Sequence, residues 1–373
     1  MKFLLIYVPN LRFTNNQLKD FKIVDICKLK QGNQYDLKQQ FTEEKSDLKR
    51  FIRIIDYTQK TNDIRYVYSN GSENYVDCTD VVVVRYGASA GYVGRGINGI
   101  IANNLFTIRP INSALLNKSY LYHYLNAPVI QKQLNNTQSS GMPALNFQTI
   151  NNLHILLPEY QEQRQIAVFL DKIDERIQTQ IKIIDDYNSL KIGIYNWMFK
   201  ENYADYKLKQ LAYIVKGDQI NNDQLLSNGS YYMMNGGTSP SGYLDSYNVS
   251  ENTISISEGG NSCGYVQFNS IPFWSGGHCY TIQNVNSALI DNKYLYHYLK
   301  HKEKEIMNLR IGTGLPNIQK RDLENFTILA PNLSIQRKNL ALFEMLDEKI
   351  SVLNEELTIL EKQKKYLLCN MFI

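Results

Sequence analysis

The sequence predicts an α+β chain with a pseudo-twofold internal repeat: two globular α/β domains held apart by two long helices that form an antiparallel coiled coil. Three observations predict it. A segment is written twice, two apolar stripes run at helical spacing over about 40 residues each, and the stretches before those stripes alternate short β-branched runs with turn-forming clusters.

The repeat is carried by Ser113-Ala-Leu-Leu-Asn-Lys-Ser-Tyr-Leu-Tyr-His-Tyr-Leu125 and Ser287-Ala-Leu-Ile-Asp-Asn-Lys-Tyr-Leu-Tyr-His-Tyr-Leu299, identical at 9 of 13 positions at an offset of 174. With a one-residue slip it continues through Gly141-Met-Pro143 and Gly314-Leu-Pro316, then 152–158 against 325–331 and 170–177 against 343–350. It closes with Met198-Phe199 against Met371-Phe372. Upstream it fades to anchors such as Gly32 against Gly217 and Gly91-Tyr-Val93 against Gly264-Tyr-Val266. Each unit thus has a divergent front and a similar back. The expected organisation is a first front over 1–158, a central helix over 159–200, a second front over 201–331 and a C-terminal helix over 332–373.

In the fronts, the runs 81–85, 105–108, 253–257 and 279–282 are β-branched or aromatic and read as strands. Turn clusters such as Asn235-Gly-Gly-Thr-Ser-Pro240 separate them, and Tyr120 to Leu125 reads as a helical patch. In the second long helix, Phe343, Leu346, Ile350, Leu353, Leu357, Leu360, Leu367 and Met371 keep 3,4 spacing, with Lys364 the one polar residue on the seam. In the first, Leu170, Ile173, Ile177, Ile181, Ile184, Leu190, Ile194 and Trp197 form a looser stripe. Pro158 and Pro331 mark the two starts, since proline suits a helix boundary.

Each helix would be roughly 60 Å long, more than a globular domain needs, so the two are expected to pair with each other. Gln161-Glu-Gln-Arg164 and Gln336-Arg-Lys338 are expected on exposed faces, and Asp174-Glu175 and Asp347-Glu348 at solvated positions. His123 and His297 are equivalent and are expected to serve a shared structural contact.

Composition, with 43% hydrophobic and 20% charged residues, excludes a disordered or fibrous chain. No apolar run approaches the roughly 18 residues of a membrane span, and the short apolar start at 3–8 lacks a cleavage site, so a cytoplasmic protein with no membrane association is expected. Five scattered cysteines fit reduced thiols better than a disulfide or zinc framework. The net charge of +4 is uneven. Positions 81–158 hold five basic residues and no acid, a footprint suited to a polyanion, whereas 217–292 hold six acids and no Lys or Arg.

Catalytic motifs are missing. There is no G-x-x-x-x-G-K-[ST] loop to cradle phosphates and no Pro-Pro dipeptide for the clamp of an amino-methyltransferase. Cys263, His278 and Cys279 lack a fourth metal ligand, and packing is the better reading of them.

Divergent fronts, similar helices and a missing catalytic clamp together resemble the DNA sequence-specificity subunit of Type I restriction-modification enzymes. The carriers are Val8-Pro9-Asn10-Leu11-Arg12-Phe13, Gly236-Gly-Thr-Ser-Pro-Ser241, Asn292-Lys-Tyr-Leu-Tyr-His-Tyr-Leu299, Gly312-Thr-Gly-Leu-Pro-Asn-Ile-Gln319, Leu157-Pro-Glu-Tyr-Gln-Glu-Gln-Arg164 and Leu367-Leu-Cys-Asn-Met-Phe372. The resemblance implies that the fronts are target recognition domains, each reading one half of an asymmetric bipartite site in double-stranded DNA, with the helices setting the spacer. It implies two adenine methyltransferase subunits that bring S-adenosylmethionine, a restriction and motor subunit, and no catalytic residue, cofactor or metal in this chain. The alternatives are a specificity subunit of a Type IIB-like enzyme and a coiled-coil scaffold without a DNA function.

Guanidinium forks suit phosphates and guanine edges, so Arg50, Arg53, Arg85, Tyr86, Arg95 and Arg109 are the expected DNA contacts of the first front. In the second, Tyr231, Tyr232, Asn235, Thr238 and Ser239 are expected to read bases, and Lys300, Lys302, Lys304, Arg310, Lys320 and Arg321 to hold phosphates.

Overall fold

The computed structural model describes residues 18–59, 61–71, 73–135, 143–199, 203–312, 314 and 316–372. The expected carriers at 8–13, with Gly141, Met142, Thr313 and Leu315, lie outside the described residues. Two compact units result. One runs to Ile181 and takes in Glu355 onward, and the other is Lys182–Asn354, so each contains a front and a part of both long helices.

The first unit centres on an antiparallel sheet in the order Cys27–Gln31, Leu105–Pro110, Val81–Val84, Val93–Gly94. The second repeats it with Tyr213–Lys216, Cys279–Gln283, Thr253–Ser257 and Val266–Asn269. The central strands, Val81–Val84 and Thr253–Ser257, are buried along their whole length, as strands covered on both faces must be. A second sheet pairs Leu48–Ile52 in parallel with Gly99–Ile101 in one unit and Tyr231–Met234 in parallel with Trp274–Ser275 in the other. The first unit adds Tyr75–Val76 to that sheet, which accounts for part of its longer front.

The repeated Tyr-Leu-Tyr-His-Tyr-Leu segments are the helices Lys118–Leu125 and Asn292–His301. Asn117 caps the first by accepting from the amides of Ser119 and Tyr120, and Asp291 caps the second through Lys293 and Tyr294. Their inner faces enter the two largest cores.

The long helices are Tyr160–Met198 and Leu333–Met371, 39 residues each. They lie antiparallel in both units. In the first, Asp174 meets Lys364 and Gln180 donates to Glu356 at 3.1 Å. In the second, Lys191 meets Asp347, and the Tyr195 and Phe343 rings are 4.3 Å apart.

Three expectations about these helices need correction. Leu190 and Trp197 are exposed, because the stripe after Ile184 continues seven residues on at Lys191 and then at Tyr195 and Met198. Asp174 and Asp347 are only partly solvated, at 20% and 38% exposure, and each receives the ammonium of a seam lysine. Gln163 and Gln336 are buried, at 1% and 0% exposure, and point back into the fronts.

Each of these glutamines makes the same three bonds. Gln163 donates to the carbonyls of Leu115 and Pro158 and accepts from the Asn117 amide. Gln336 donates to Leu289 and Pro331 and accepts from Asp291. The helix start is thereby pinned to the cap of the repeated helix. His123 and His297 are both buried, but the contact expected to be shared differs: His123 meets Asp171 at 2.8 Å, whereas His297 meets the Tyr195 hydroxyl at 3.0 Å with Asp347 beyond. Burial pushes both imidazoles below their ordinary pKa.

Among the described residues, no helix is long and apolar enough to cross a membrane and no group of three or more His, Cys, Asp or Glu is placed to hold a metal. Cys263 and Cys279 are buried while His278 is exposed, so the three do not converge.

Candidate nucleic-acid interface

In the first unit, most of the expected arginines are held by carboxylates. Arg50 lies on Leu48–Ile52 and meets Asp56 at 3.4 Å; Arg53 meets Asp56 at 3.4 Å and Asp63 at 3.0 Å. Arg109 bonds Asn74, the Tyr75 carbonyl and Asp80, which Lys118 also pairs. Arg95 stacks over Tyr122 at 3.9 Å, bonds Ser119 and meets Asp171 at 2.6 Å on the long helix. These four hold the front together.

Arg85 differs. Among the described residues it has no carboxylate partner; it lies 4.3 Å from the Phe147 ring and 4.8 Å from the Tyr86 ring, and donates to Gln31 at 2.8 Å. Gln31 also bonds the Asn103 carbonyl, and the Asn103 amide reaches Gln34, so Arg85 sits within an array of amide side chains. Guanidinium and amides in one patch form the donor and acceptor set that reads purine edges.

In the second unit, Tyr231 and Tyr232 lie on Tyr231–Met234. Tyr232 stacks on Phe273 and donates to Asn269, and Tyr231 leans on Tyr247. Asn235 accepts from the His278 amide at 2.9 Å, which fixes the start of the turn whose tip exposes Thr238 and Ser239. Lys300 pairs with Glu303 over the Tyr265 ring, Lys302 with Glu305, and Lys320 loosely with Glu324 at 3.8 Å. Lys304, Arg310 and Arg321 are exposed and have no ion pair among the described residues. Arg310 precedes Ile311, which bridges Asn317, which in turn bridges Gly259, so it lies at the same end of the unit as His278 and Glu258.

A site that side-chain identity does not reveal emerges from the backbone. The Arg85 amide bonds the Asn104 carbonyl, its carbonyl accepts from Leu145, Gly87 bonds Pro143, and Gly32 bonds Leu105. The second unit has the same four bonds: Glu258 to His278, Ile318 to Glu258, Gly260 to Pro316, and Gly217 to Cys279. Gly87 and Gly260 both need positive φ, 89° and 75°. Glu258 therefore occupies the position of Arg85. Its carboxylate accepts from Lys216 at 2.6 Å and from the Tyr280 hydroxyl at 3.0 Å, with His278 at 3.5 Å. Burial, together with the Glu258 hydrogen bond, raises the Tyr280 pKa.

The model for the Type I restriction modification DNA specificity domain matches the sequence twice, over residues 15–185 and 200–362. The chain belongs to that family. A specificity-domain relative named as a type I specificity subunit in Mycoplasma pneumoniae is 35% identical over 127 residues, covering 34% of this chain and 34% of the relative. The chain's match thus spans about a third of the length of the first curated relatives. A type I restriction enzyme specificity subunit of Methanocaldococcus jannaschii is 26% identical over 145 residues, 38% of this chain and 33% of its own. The crystal structure of the Type I restriction-modification S subunit from M. genitalium superposes with a TM-score of 0.66 at 19% identity, over 97% of this chain and 98% of that one. At that identity the likeness establishes a shared fold, and the α+β class with two repeated units is the one expected from the sequence.

Proposed function

We propose that this specificity-domain protein is the DNA-reading subunit of a Type I restriction-modification enzyme. Each front reads one half of an asymmetric bipartite site, and the paired helices set the unread spacer and dock the methyltransferase subunits. S-adenosylmethionine, the catalytic clamp, and the restriction and motor functions belong to those partners, and this chain acts without a cofactor of its own.

One observation carries the reading: two copies of a DNA specificity domain share a backbone frame while their exposed polar residues differ. A duplicated frame with the same side chains would read the same half-site twice. Arg85 with its amide neighbours in one unit, and Arg310, Arg321 and the Asn235 turn in the other, are the foremost contact candidates.

The test is binding of the full chain, with its methyltransferase partner, to a randomised duplex library at increasing salt. Enrichment of a two-part motif on a salt-dependent background is expected. Binding that ignores both sequence and salt overturns the reading.

A further inference from the structure

The matched backbone frame places three pairs of residues at equivalent positions with unlike chemistry. Gln31 in the first unit corresponds to Lys216 in the second, since each lies one residue before Gly32 or Gly217, whose amides make the same bond. Arg85 corresponds to Glu258 and Asn104 to His278, through the amide-to-carbonyl bond that joins each pair.

In the second unit the three side chains adjoin one another; in the first, Arg85 and Gln31 touch, and Asn104 is joined to Arg85 through the main chain with its side-chain oxygen buried and unpartnered. Arg85 bonds Gln31 and follows the central strand, next to Asn104. Glu258 bonds Lys216 and lies 3.5 Å from His278. The Glu258 side chain is 10% exposed, whereas Lys216 and His278 are 51% and 61% exposed. Glu258 thus tethers Lys216 from beneath, while its second carboxylate oxygen, buried without a hydrogen-bond partner, lies 3.5 Å from the His278 ring. Packing does not require this exchange, because the surrounding backbone bonds are unchanged. What changes is the hydrogen-bonding pattern offered to solvent: guanidinium and amides in one unit, ammonium and imidazole over a carboxylate in the other.

We propose that the positions Gln31/Lys216, Arg85/Glu258 and Asn104/His278 are the specificity-determining positions of the two units, where one frame presents two hydrogen-bonding patterns to base edges. The proposal rests on the DNA-reading function above. The first set matches a purine edge, with the Arg85 fork on the guanine acceptors and the amides suited to adenine. In the second set Lys216 and His278 supply the contacts and Glu258 aims them, so Glu258 is a positioning residue.

The experiment is selection from a randomised duplex library by the full chain with its methyltransferase partner, for wild type, Arg85→Lys and His278→Ala. Arg85→Lys keeps the charge and loses the fork. It is expected to relax preference roughly tenfold at one base pair of one half-site and to leave the other half intact. His278→Ala is expected to relax one base pair of the other half alone. Gln31→Ala and Lys216→Ala, at exposed side chains, repeat the comparison should either first variant fail to fold. Motifs unchanged in every folded variant overturn the proposal, as does an equal loss of affinity for all sequences, which marks a phosphate contact. A wild-type complex that enriches no motif overturns the DNA-reading function itself.

Discussion

The Gln163 side chain accepts the backbone N–H of Asn117 at 3.0 Å, and Gln336 accepts that of Asp291 at 2.8 Å. Each glutamine also donates to two carbonyls, so one buried amide ties a long helix to the cap of the repeated helix in its unit. Gln163→Leu leaves a buried donor and two acceptors unpaired. A loss of about 2–3 kcal/mol is expected in urea unfolding, and the same for Gln336→Leu. A loss below about 0.5 kcal/mol, the usual range for a surface substitution, contradicts this role.

The seam pairs Lys191–Asp347 and Lys364–Asp174 are partly buried, with side chains 20–38% exposed. Lys364→Met alone removes one of the two cations that meet Asp174, leaving Arg95 at 3.5 Å, and is expected to destabilise by about 1 kcal/mol. Lys364→Leu combined with Asp174→Leu is expected to recover most of that loss. A double variant no more stable than the single one contradicts the seam assignment.

Stability should fall in mild acid. Burial holds His123 and His297 below the ordinary imidazole pKa, so the folded protein favours their neutral forms while the unfolded chain binds protons near pH 6.5. The stabilisation is complete above that value and is lost as pH falls below it. The urea midpoint is expected to drop between about pH 7 and pH 5, and His123→Gln with His297→Gln to flatten that drop. A slope unchanged by the double substitution contradicts it.

Among the arginines, Arg95 and Arg310 should behave oppositely. Arg95→Ala removes the ion pair to Asp171 and the stack on Tyr122, and is expected to lower thermal stability. Arg310→Ala is expected to leave stability unchanged, weaken DNA binding uniformly and reduce the salt slope by about 1. The reverse pattern contradicts the division between structural and contact arginines.

Much of this architecture is legible in the sequence because packing selects side-chain identity. Tyr-Leu-Tyr-His-Tyr-Leu recurs since its inner residues fill equivalent cores, and Thr253–Ser257 reads as a strand since it is buried on both faces. What escapes is polar. The helix face after Ile184 passes through Lys191 and not Leu190, because an ion pair replaces an apolar contact there. Gln163 looks like a solvated helix start until its three backbone partners are seen. The equivalence of Arg85 and Glu258 is written in main-chain hydrogen bonds, which leave no trace in side-chain identity. The offset of 173 between Gly91-Tyr-Val93 and Gly264-Tyr-Val266, carried a few residues upstream, is the sequence signal that aligns the two.

The most direct test of the central claim is a genome-wide map of N6-methyladenine after co-expression of the chain with its methyltransferase partner. The account predicts methylation confined to one asymmetric two-part sequence, lost when this chain is omitted. Methylation that persists without the chain, or that follows no two-part sequence, contradicts it.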